Sequence, residues 1–360
     1  MWFSQLIYLL LLFYPQLAPS SSFNSSLALL CSQHQSSTLL QFKHLFSFTP
    51  FSSFDCDLVG QQSYPKMETW KEGIDCGLWD GVTCDSVRGD VIGLDLSCSW
   101  LSGTIPFNST LFLLSHLQWL NLTSNDFLFS LIASRFGQFT RLKHLNLSYS
   151  AVFGQVPLEL SHLSHLASLD LSDYGTYINL EASVMKKLVQ NLTKLRELHL
   201  NHVIMSSVPL SSLMNLSSSL TSLTLGECEL RGKLPNNIFR LPNLHELNLA
   251  YNPELTWFFP MLNWTNSLRF LDLSYTIYTR ELPESFGKIK FLSHLILSGC
   301  NFNGSIPPWL GNLTQLTVLD LSTNNFVGEL PSSLSNLNAL VSLDLQSNHL
   351  NGKSLSVLLV

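Results

Sequence analysis

One leucine motif recurs along most of the chain at an almost constant interval. From residue 94 the pattern L-x-x-L-x-L-x-x-(N/C/S/T)-x-(L/F) returns about every 24 residues. The first leucine of each L-x-L core falls at Leu94, Leu120, Leu145, Leu169, Leu198, Leu223, Leu247, Leu271, Leu295, Leu319 and Leu343. A unit this short cannot bury its own apolar face, so neighbouring units must stack and share one core. The period therefore predicts an α/β solenoid, a right-handed superhelix with a parallel sheet on its concave face.

The motif and its return segment identify the units as leucine-rich repeats of the plant variety. Several units continue as G-x-(I/L/V)-P after the strand, at residues 103–106, 154–157, 232–235, 304–307 and 328–331. Glycine permits a sharp backbone turn there, and proline ends a short extended segment at a sheet edge. Eleven repeats are expected over residues 91–350, the last of them incomplete.

One position after each strand is expected to carry an inward-pointing polar ladder. Its residues are Ser99, Asn125, Ser150, Tyr174, Val203, Cys228, Asn252, Thr276, Cys300, Asn324 and Asn348. An asparagine there can bond to backbone groups that the sheet does not reach, and cysteine, serine or threonine can substitute in part. Tyr174 and Val203 cannot, and the interval from Leu169 to Leu198 is longer than the others. We expect a local distortion in repeats four and five.

The start of the chain is typical of a secreted protein. An apolar run from Leu6 to Tyr14 is followed by Pro15 and small residues, which predicts a signal peptide over residues 1–22; an apolar buried start is the alternative. The run is too short to cross a bilayer. Nine Asn-x-Ser/Thr sequons support secretion, at Asn24, Asn108, Asn121, Asn146, Asn191, Asn215, Asn263, Asn303 and Asn312.

Composition excludes several classes of function. Charged residues make up 12% of the chain and the net charge is −6, which gives no basic footprint for nucleic acid. The chain has no G-x-S-x-G, P-loop or G-x-G-x-x-G motif, and its histidines lack the spacing of a zinc site. The aspartates in L-D-L follow the repeat consensus. We expect no enzyme activity, no cofactor and no metal.

Residues 23–90 lack the repeat and hold four cysteines, Cys31, Cys56, Cys76 and Cys84. The first unit of a solenoid has no neighbour on one side, so its apolar end must be covered. A disulfide-tied amino-terminal cap is the expected solution in a secreted chain. Four cysteines allow three pairings.

The cap carries a family resemblance. The segments LLQFKHLF (39–46), QSYPKMETW (62–70), IDCGLWDGVTCD (74–85) and VIGLDLSCSWLSGTI (91–105) resemble plant resistance receptor-like proteins of the Cf type. The resemblance implies a cell-surface receptor with a repeat ectodomain, one membrane span, a very short cytoplasmic tail and no kinase. Such receptors perceive pathogen-derived molecules or developmental peptides and signal through partner receptor kinases.

The sequence departs from the family at two places. The family has adjacent cysteines before the tryptophan of the cap, whereas here Cys76 is followed by Gly77. The family pattern favours a Cys31–Cys76 bridge and leaves Cys56 with Cys84 as an open pair. The second departure is residues 351–360, an apolar tail with no cysteine-closed cap and no membrane span. We expect either a fragment of a longer receptor, in which the missing part supplies the span, or a short secreted decoy or inhibitor.

The resemblance and the two departures from it leave three functional hypotheses. The first is the ligand-recognition region of a receptor-like protein in plant defence, on the outer face of the plasma membrane. The alternative is a secreted protein like the polygalacturonase inhibitors, which have about ten such repeats and a closed carboxy-terminal cap. A receptor kinase is the third, because a missing half could contain the kinase.

A ligand is expected on the concave face, where a protein or peptide fits better than a small molecule. Glycans at Asn121 and Asn146 would obstruct the second and third repeats, so binding is expected further along. The column after the core and the column before it bring together exposed rings and charges: His202, Glu227, Glu246, Tyr251, Phe270, Tyr275 and His294. The competing interpretation is that the rings only stack on one another along the sheet.

Overall fold

The L-x-L cores form one continuous sheet on the concave side. The computed structural model describes residues 31–175, 177–258, 267–278 and 280–351. Within those ranges, with strands numbered in chain order, twelve strands form this sheet: β2 Val82–Cys84, β3 Val91–Asp95, β5 Trp119–Asn121, β7 His144–Asn146, β9 Ser168–Asp170, β11 Glu197–His199, β12 Ser222–Thr224, β14 Glu246–Asn248, β16 Phe270–Asp272, β17 His294–Ile296, β19 Val318–Asp320 and β21 Ser342–Asp344. All neighbours are parallel except β2 and β3.

The core leucines lie in one register. Leu94 pairs with Leu120, each following leucine pairs with the next, and Leu319 pairs with Leu343. From Leu94 to Leu319 these side chains are buried. The predicted solenoid with a parallel sheet on its concave face is confirmed.

Short lateral sheets lie beside the concave one, and a G-x-(I/L/V)-P segment contributes at least one strand to each of them. In the described part of the chain these are β1 Phe46–Phe48 with β4 Leu101–Gly103; β6 Ser130–Leu131, β8 Val152–Gln155 and β10 Ile178–Asn179; β13 Arg231–Lys233 with β15 Glu254–Thr256; and β18 Asn303–Ser305, β20 Asn325–Gly328 and β22 His349–Leu350. Gly304 and Gly328 have φ values of 78° and 80°, a conformation that glycine adopts without strain.

The convex side consists of short returns. The α-helices described are α1 Gln33–Lys43 and α2 Phe54–Leu58 in the cap and α3 Ala182–Asn191 in the repeats. The cap also contains the 3₁₀ turns Pro50–Ser53, Lys66–Thr69 and Cys76–Leu78. The other returns of the repeats are single 3₁₀ turns: Thr110–Leu113, Ser134–Gln138, Leu158–His162, Leu210–Asn215, Ile238–Arg240, Glu284–Lys288, Pro308–Asn312 and Ser332–Asn336. Helix α3 lies in the long fourth repeat and buries Val184, Met185 and Leu188. It takes up the extra residues on the convex side, so the concave register is not disturbed.

The expected distortion is instead found at the ladder of repeat four. There the buried residue is Asp173, 6% exposed, whereas Tyr174 is 60% exposed. Val203 in repeat five is fully buried. A phenol is too large for the ladder position, so the chain turns Tyr174 out to solvent.

The asparagine ladder forms as predicted. The Oδ1 atom of Asn252 accepts hydrogen bonds from the backbone N–H groups of Cys228 (3.2 Å) and Leu230 (2.9 Å). Its Nδ2 donates to the carbonyls of Leu225 and Leu249, both at 2.9 Å. One side chain thus satisfies groups in two successive repeats.

At the ladder positions that carry cysteine, the side chain makes only some of the hydrogen bonds that asparagine makes. The Sγ of Cys228 donates to the carbonyl of Leu200 at 3.0 Å, and that of Cys300 donates to the carbonyl of Leu273 at 3.0 Å. Burial raises the pKa of the Cys228 thiol well above its usual range, and it raises the pKa of Cys300 to about 12. Both thiols are therefore protonated donors in the core.

The cap covers the first repeat through two antiparallel pairs, β1 with β4 and β2 with β3. Trp70 and Trp79 stack at 5.5 Å between ring centroids and are both buried. The indole N–H of Trp70 donates a partly buried hydrogen bond to the carbonyl of Asp80 (3.0 Å). The apolar end of repeat one is covered as the cap hypothesis requires.

The disulfide pairing that we favoured from the sequence is wrong in this structure. Cys31 is bonded to Cys84 and Cys56 to Cys98, while Cys76 is a free buried thiol. The sulfur atoms of Cys31, Cys76 and Cys84 all lie within 4.8 Å of one another. Distance therefore allows either partner for Cys31, and the Ser32 N–H bonded to the Gly89 carbonyl (3.1 Å) holds the turn after β2 beside it.

The second pairing has a different cause. Cys98 lies in the column after the strand rather than in the ladder, and its backbone is left-handed (φ 52°). The Ser53 Oγ, next to helix α2, accepts a hydrogen bond from the Trp100 N–H and donates to the Ser124 carbonyl. These contacts bring Cys56 of α2 to the first repeat. Among the residues that the structure describes, no helix is both long and apolar enough to cross a bilayer.

Candidate functional site

The column that follows each concave strand has an unusual backbone. Tyr149, His202, Glu227, Tyr251 and Tyr275 have φ values between 51° and 62°. The left-handed region costs an ordinary residue on the order of 1 kcal/mol, so the surrounding bonds must hold it. The ladder asparagines and the inter-repeat N–H to carbonyl bonds, such as Tyr251 to Ser274 (2.8 Å), supply that restraint. Side chains of this column are therefore presented from a fixed turn rather than from a flexible loop.

Two of the predicted residues form a stacked pair. The rings of Tyr251 and Tyr275 are 4.7 Å apart between centroids with an interplanar angle of 15°. They are 51% and 40% exposed. The next residue in the column is Gly299, where an added Cβ would lie 2.8 Å from the Tyr275 ring. The absence of a side chain at Gly299 gives that ring its room.

Charged residues lie beside this pair. The Nδ1 atom of His202 is 3.3 Å from a carboxylate oxygen of Glu227. Partial burial raises the pKa of Tyr251, and the neighbouring Tyr275, Asp272 and Glu227 add to the shift. The Tyr251 phenol is thus neutral and lies beside carboxylates, an arrangement that can bind a cation or accept hydrogen bonds.

The column before the core supplies the remaining predicted residues. Glu246 pairs with Phe270 and Phe270 with His294 on adjacent strands. The Phe270 and His294 rings are 5.4 Å apart. All three side chains are half-buried. The structure therefore brings the seven candidates together over repeats five to nine.

A polar chain that we did not predict runs beside them. The Ser222 Oγ donates to Glu246 (2.7 Å) and is 2.8 Å from the Nε2 of His199, whose Nδ1 is 3.7 Å from Asp170. Burial alone would lower the pKa of His199, but Asp170, Glu246 and Glu197 outweigh it and the pKa is raised. The sequence signal was available, because these residues occupy strand positions on consecutive repeats, within reach of one another across the sheet.

This network of polar side chains has the residue types of a catalytic triad without its arrangement. Ser222 is only 7% exposed and its hydroxyl proton is directed to Glu246 rather than to His199. A serine nucleophile needs the histidine to accept that proton. The network of polar side chains serves instead to fix Glu246 and His199 on the concave surface.

The cysteine cluster is the one group of three metal-ligating side chains found in the described residues, but its sulfur atoms are not all available to a metal ion. Its members are Cys31, Cys76 and Cys84. Two of the three sulfurs are joined in a disulfide, which removes them as ligands.

A second aromatic pair lies on repeats two and three. The rings of Trp119 and His144 are 4.1 Å apart, and Trp119 is 44% exposed. These residues precede the core leucines, as Phe270 and His294 do. Asn121 and Asn146, both sequons, are half-buried two residues further along the same strands. A glycan on either would lie over this pair.

The other described sequons face solvent. Asn108, Asn191, Asn215, Asn303 and Asn312 are exposed, whereas Asn24 and Asn263 lie outside the described residues. The predicted signal peptide also lies outside them, as does the tail beyond Asn351.

Comparison with known proteins gives consistent matches. A family model described as Leucine Rich Repeat matches residues 291–313 and 315–337. Receptor-like protein 6 of Arabidopsis thaliana is 41% identical over 77% of this chain, which covers 29% of that relative. Receptor-like protein Cf-9 of Solanum pimpinellifolium is 41% identical over 75% of this chain and 31% of its own length. The chain thus spans about a third of the curated relatives it matches.

Solved structures agree on the fold. The complex titled PEPR1-AtPEP1 superposes with a TM-score of 0.63 at 27% identity, covering 91% of this chain and 47% of that one. A TDR receptor gives a TM-score of 0.56 at 26% identity, covering 74% of this chain and 49% of that one.

The stacked concave strands, the asparagine ladder and the lateral sheets define a leucine-rich-repeat protein of the plant type. Its family and fold are those of receptor ectodomains, not of enzymes. With identity near 40% over most of its length, the chain belongs to the plant receptor-like proteins of the Cf type.

Proposed function

We propose that this chain is the ligand-recognition region of a cell-surface receptor-like protein in plant defence. It lies on the extracellular face of the plasma membrane and binds a protein or peptide on the concave face of repeats five to nine. It acts through partner receptor kinases. One observation carries the proposal: the stacked Tyr251–Tyr275 pair, beside the Glu227 carboxylate, is held exposed on a left-handed backbone. The relatives named receptor-like proteins and the peptide complex of a structural neighbour support it.

Energetics favour contact over simple packing for this pair. A stacked aromatic pair contributes about 0.5–1.5 kcal/mol beyond the area that it buries. Here each ring leaves close to half of its surface in water, so much of the apolar area of the pair is not buried by the stacking. The left-handed turn does not decide between contact and packing, because the same column has it in repeats without a ring, such as those of Ser124 and Thr323. Burial of both rings by a ligand would supply the missing stabilisation.

The secreted, glycosylated chain tests this proposal when it is panned against a random peptide library displayed on phage. Selected peptides are then measured against wild-type, Tyr275→Ala and Tyr149→Ala proteins. Tyr149 is the matched control, because it has the same left-handed turn and also stacks on a tyrosine, Tyr174 (4.3 Å). We expect Tyr275→Ala to weaken binding by about tenfold or more, as for an aromatic hot spot.

Thermal melting separates contact from packing. We expect Tyr275→Ala to leave the melting temperature within a few degrees of wild type, because the ring is half exposed. A large drop in melting temperature, or peptide binding that only Tyr149→Ala removes, would support the packing interpretation and overturn the proposal.

A further inference from the structure

A second surface, separate from the concave face, carries exposed aromatic side chains. It lies on the flank that follows the concave strands, in the cap and in repeats two to four. We call it the flank patch and define it by six residues: Phe51, Phe54, Phe129, Leu131, Phe153 and Tyr177. Their exposed fractions run from 40% for Phe153 to 85% for Phe51.

The fold brings these residues together from distant parts of the chain. Phe51 and Phe54 stack at 6.1 Å in the cap. The Phe129 and Tyr177 rings meet edge to face at 5.3 Å, and Leu131 is the strand partner of Phe153. The lateral sheet β10-β8-β6 fixes the second group.

Contacts between the cap and the repeats join the two groups. The Ser53 hydroxyl, between Phe51 and Phe54, donates to the carbonyl of Ser124 in repeat two (2.8 Å). The charge of Asp55 acts on Tyr174 of repeat four, whose pKa is raised by burial first and by this carboxylate second. The cap pair therefore lies on the same flank as the lateral sheet.

The area is large for a surface that stays in water. An aromatic side chain presents about 200 Å², so these exposed fractions correspond to roughly 700 Å² in all. The largest apolar patch on a monomeric protein is typically about 300–600 Å². A standard protein interface buries about 800 Å² on each partner. The flank patch thus has the size of one side of an interface.

Backbone strain marks the same place. Leu128 and Phe129 are consecutive residues with φ values of 51° and 53°, and the Leu128 N–H bonds to the Asp126 carboxylate at 2.9 Å. Two adjacent left-handed residues cost about 2 kcal/mol or more together. The strain presents two apolar side chains to solvent, which is the reverse of what folding alone favours.

Charge identifies the kind of partner. Residues 44–65, 121–134 and 145–185 contain no Lys or Arg, yet they contain Asp55 and Asp126, which are half-buried, and Asp57, which is exposed. None of these segments places a sequon on the flank, since Asn121 and Asn146 lie in the concave strands β5 and β7. The edge of the patch is acidic and free of glycan sites. An anionic lipid surface or a second copy of this chain would be repelled by it.

We infer that the flank patch binds a second protein whose own surface is apolar and edged by lysine or arginine. Apolar contact with the rings supplies the affinity, and the acidic edge selects the partner and sets its orientation. This partner is distinct from the ligand of the concave face, because the two surfaces share no residue.

Three synthetic amphipathic helical peptides test the inference. They have one apolar face of leucine and phenylalanine, and their other positions are all lysine, all glutamate or all serine. Fluorescence anisotropy measures their binding to the full secreted chain. We expect the lysine peptide to bind about tenfold or more tightly than the glutamate peptide, and to weaken as salt rises.

Variants locate the binding. Phe129→Ser with Phe153→Ser should weaken the lysine peptide about tenfold, while Val341→Ser, 87% exposed in the last repeat, should have no effect. Phe129→Asn replaces Phe129→Ser if that variant folds poorly, because asparagine tolerates the left-handed backbone. Tyr275→Ala should leave this binding unchanged, so failure here and failure of the concave site are told apart.

Other outcomes overturn the inference. They are equal binding of the lysine and glutamate peptides, or a loss that does not follow the Phe129 and Phe153 changes. They also include self-association in sedimentation, or binding to phosphatidylserine vesicles, that those two changes abolish. Equal binding would contradict the partner's stated chemistry, and a loss unrelated to Phe129 and Phe153 would contradict the location. Self-association or vesicle binding at the patch would assign it to another occupant.

Discussion

Replacement of Asn252 gives the sharpest test of how the solenoid is held together. The side chain is fully buried and makes hydrogen bonds to backbone groups of two successive repeats. Each such bond contributes about 1 kcal/mol net, and a buried partner left unpaired costs about 1–3 kcal/mol. With water unable to reach the ladder, Asn252→Ala should destabilise the chain by about 4 kcal/mol.

Two further variants make the magnitude interpretable. Asn252→Cys keeps one donor, as Cys228 and Cys300 do, so it should cost about half as much. Asn248→Ala is the matched control in the same repeat, because Asn248 is half-buried and its Oδ1 accepts one local bond from Ala250 (3.0 Å). That change should cost less than about 1 kcal/mol.

Urea denaturation followed by tryptophan fluorescence measures the order of the midpoints. Hydrogen exchange of repeats six and seven shows whether the loss is local, because each repeat of a solenoid contacts only its neighbours. We expect wild type and Asn248→Ala to unfold last, Asn252→Cys next and Asn252→Ala first. Equal losses for Asn248→Ala and Asn252→Ala, or Asn252→Cys as unstable as Asn252→Ala, would refute the ladder argument.

Three other predictions concern His199, Gly299 and the cysteines. The raised pKa of His199 means that its ion-pair stabilisation is complete below about pH 6.5, the usual histidine value, and is lost as pH rises through the higher folded pKa. His199→Gln should therefore remove that part of the difference in unfolding free energy between pH 5 and pH 8, and an unchanged difference would contradict the prediction. Gly299→Ala should displace the Tyr275 ring and weaken selected peptides by about tenfold, with a loss of about 1 kcal/mol in urea because φ there is 66°; unchanged peptide binding would argue against the ring's position. Alkylation of the denatured, unreduced chain followed by peptide mapping should label one cap thiol and the two core thiols but leave Cys56 and Cys98 joined, and an alkylated Cys56 would contradict the cap described.

The repeat register was predictable from the sequence because it depends on local periodicity. A leucine that returns at a fixed interval must occupy the same place in each unit, or the shared core would contain gaps. The same logic placed Asn252 in the ladder and Tyr251 beside Tyr275 on the concave face. Even the long fourth repeat obeyed it, because helix α3 absorbed the extra residues on the outside.

Features that depend on where the cap lies against the repeats could not be predicted. Cys98 looked like a repeat residue, since spacing does not reveal that helix α2 brings Cys56 to it. The flank patch could not be predicted for the same reason: Phe54 and Phe153 are 99 residues apart and share a flank only once the lateral sheet and the cap are built. The contact of His199 with Ser222 is different, because both residues occupy strand positions on consecutive repeats and the repeat register places them within reach of each other.

Hydrogen–deuterium exchange of the glycosylated chain with and without a selected peptide measures the concave recognition surface most directly. Protection is expected in residues 197–202, 222–227, 246–252, 270–276 and 294–299, with repeats two and three unchanged. Protection confined to the cap and the first three repeats, or none in the middle repeats at saturating peptide, would contradict the placement of the ligand site.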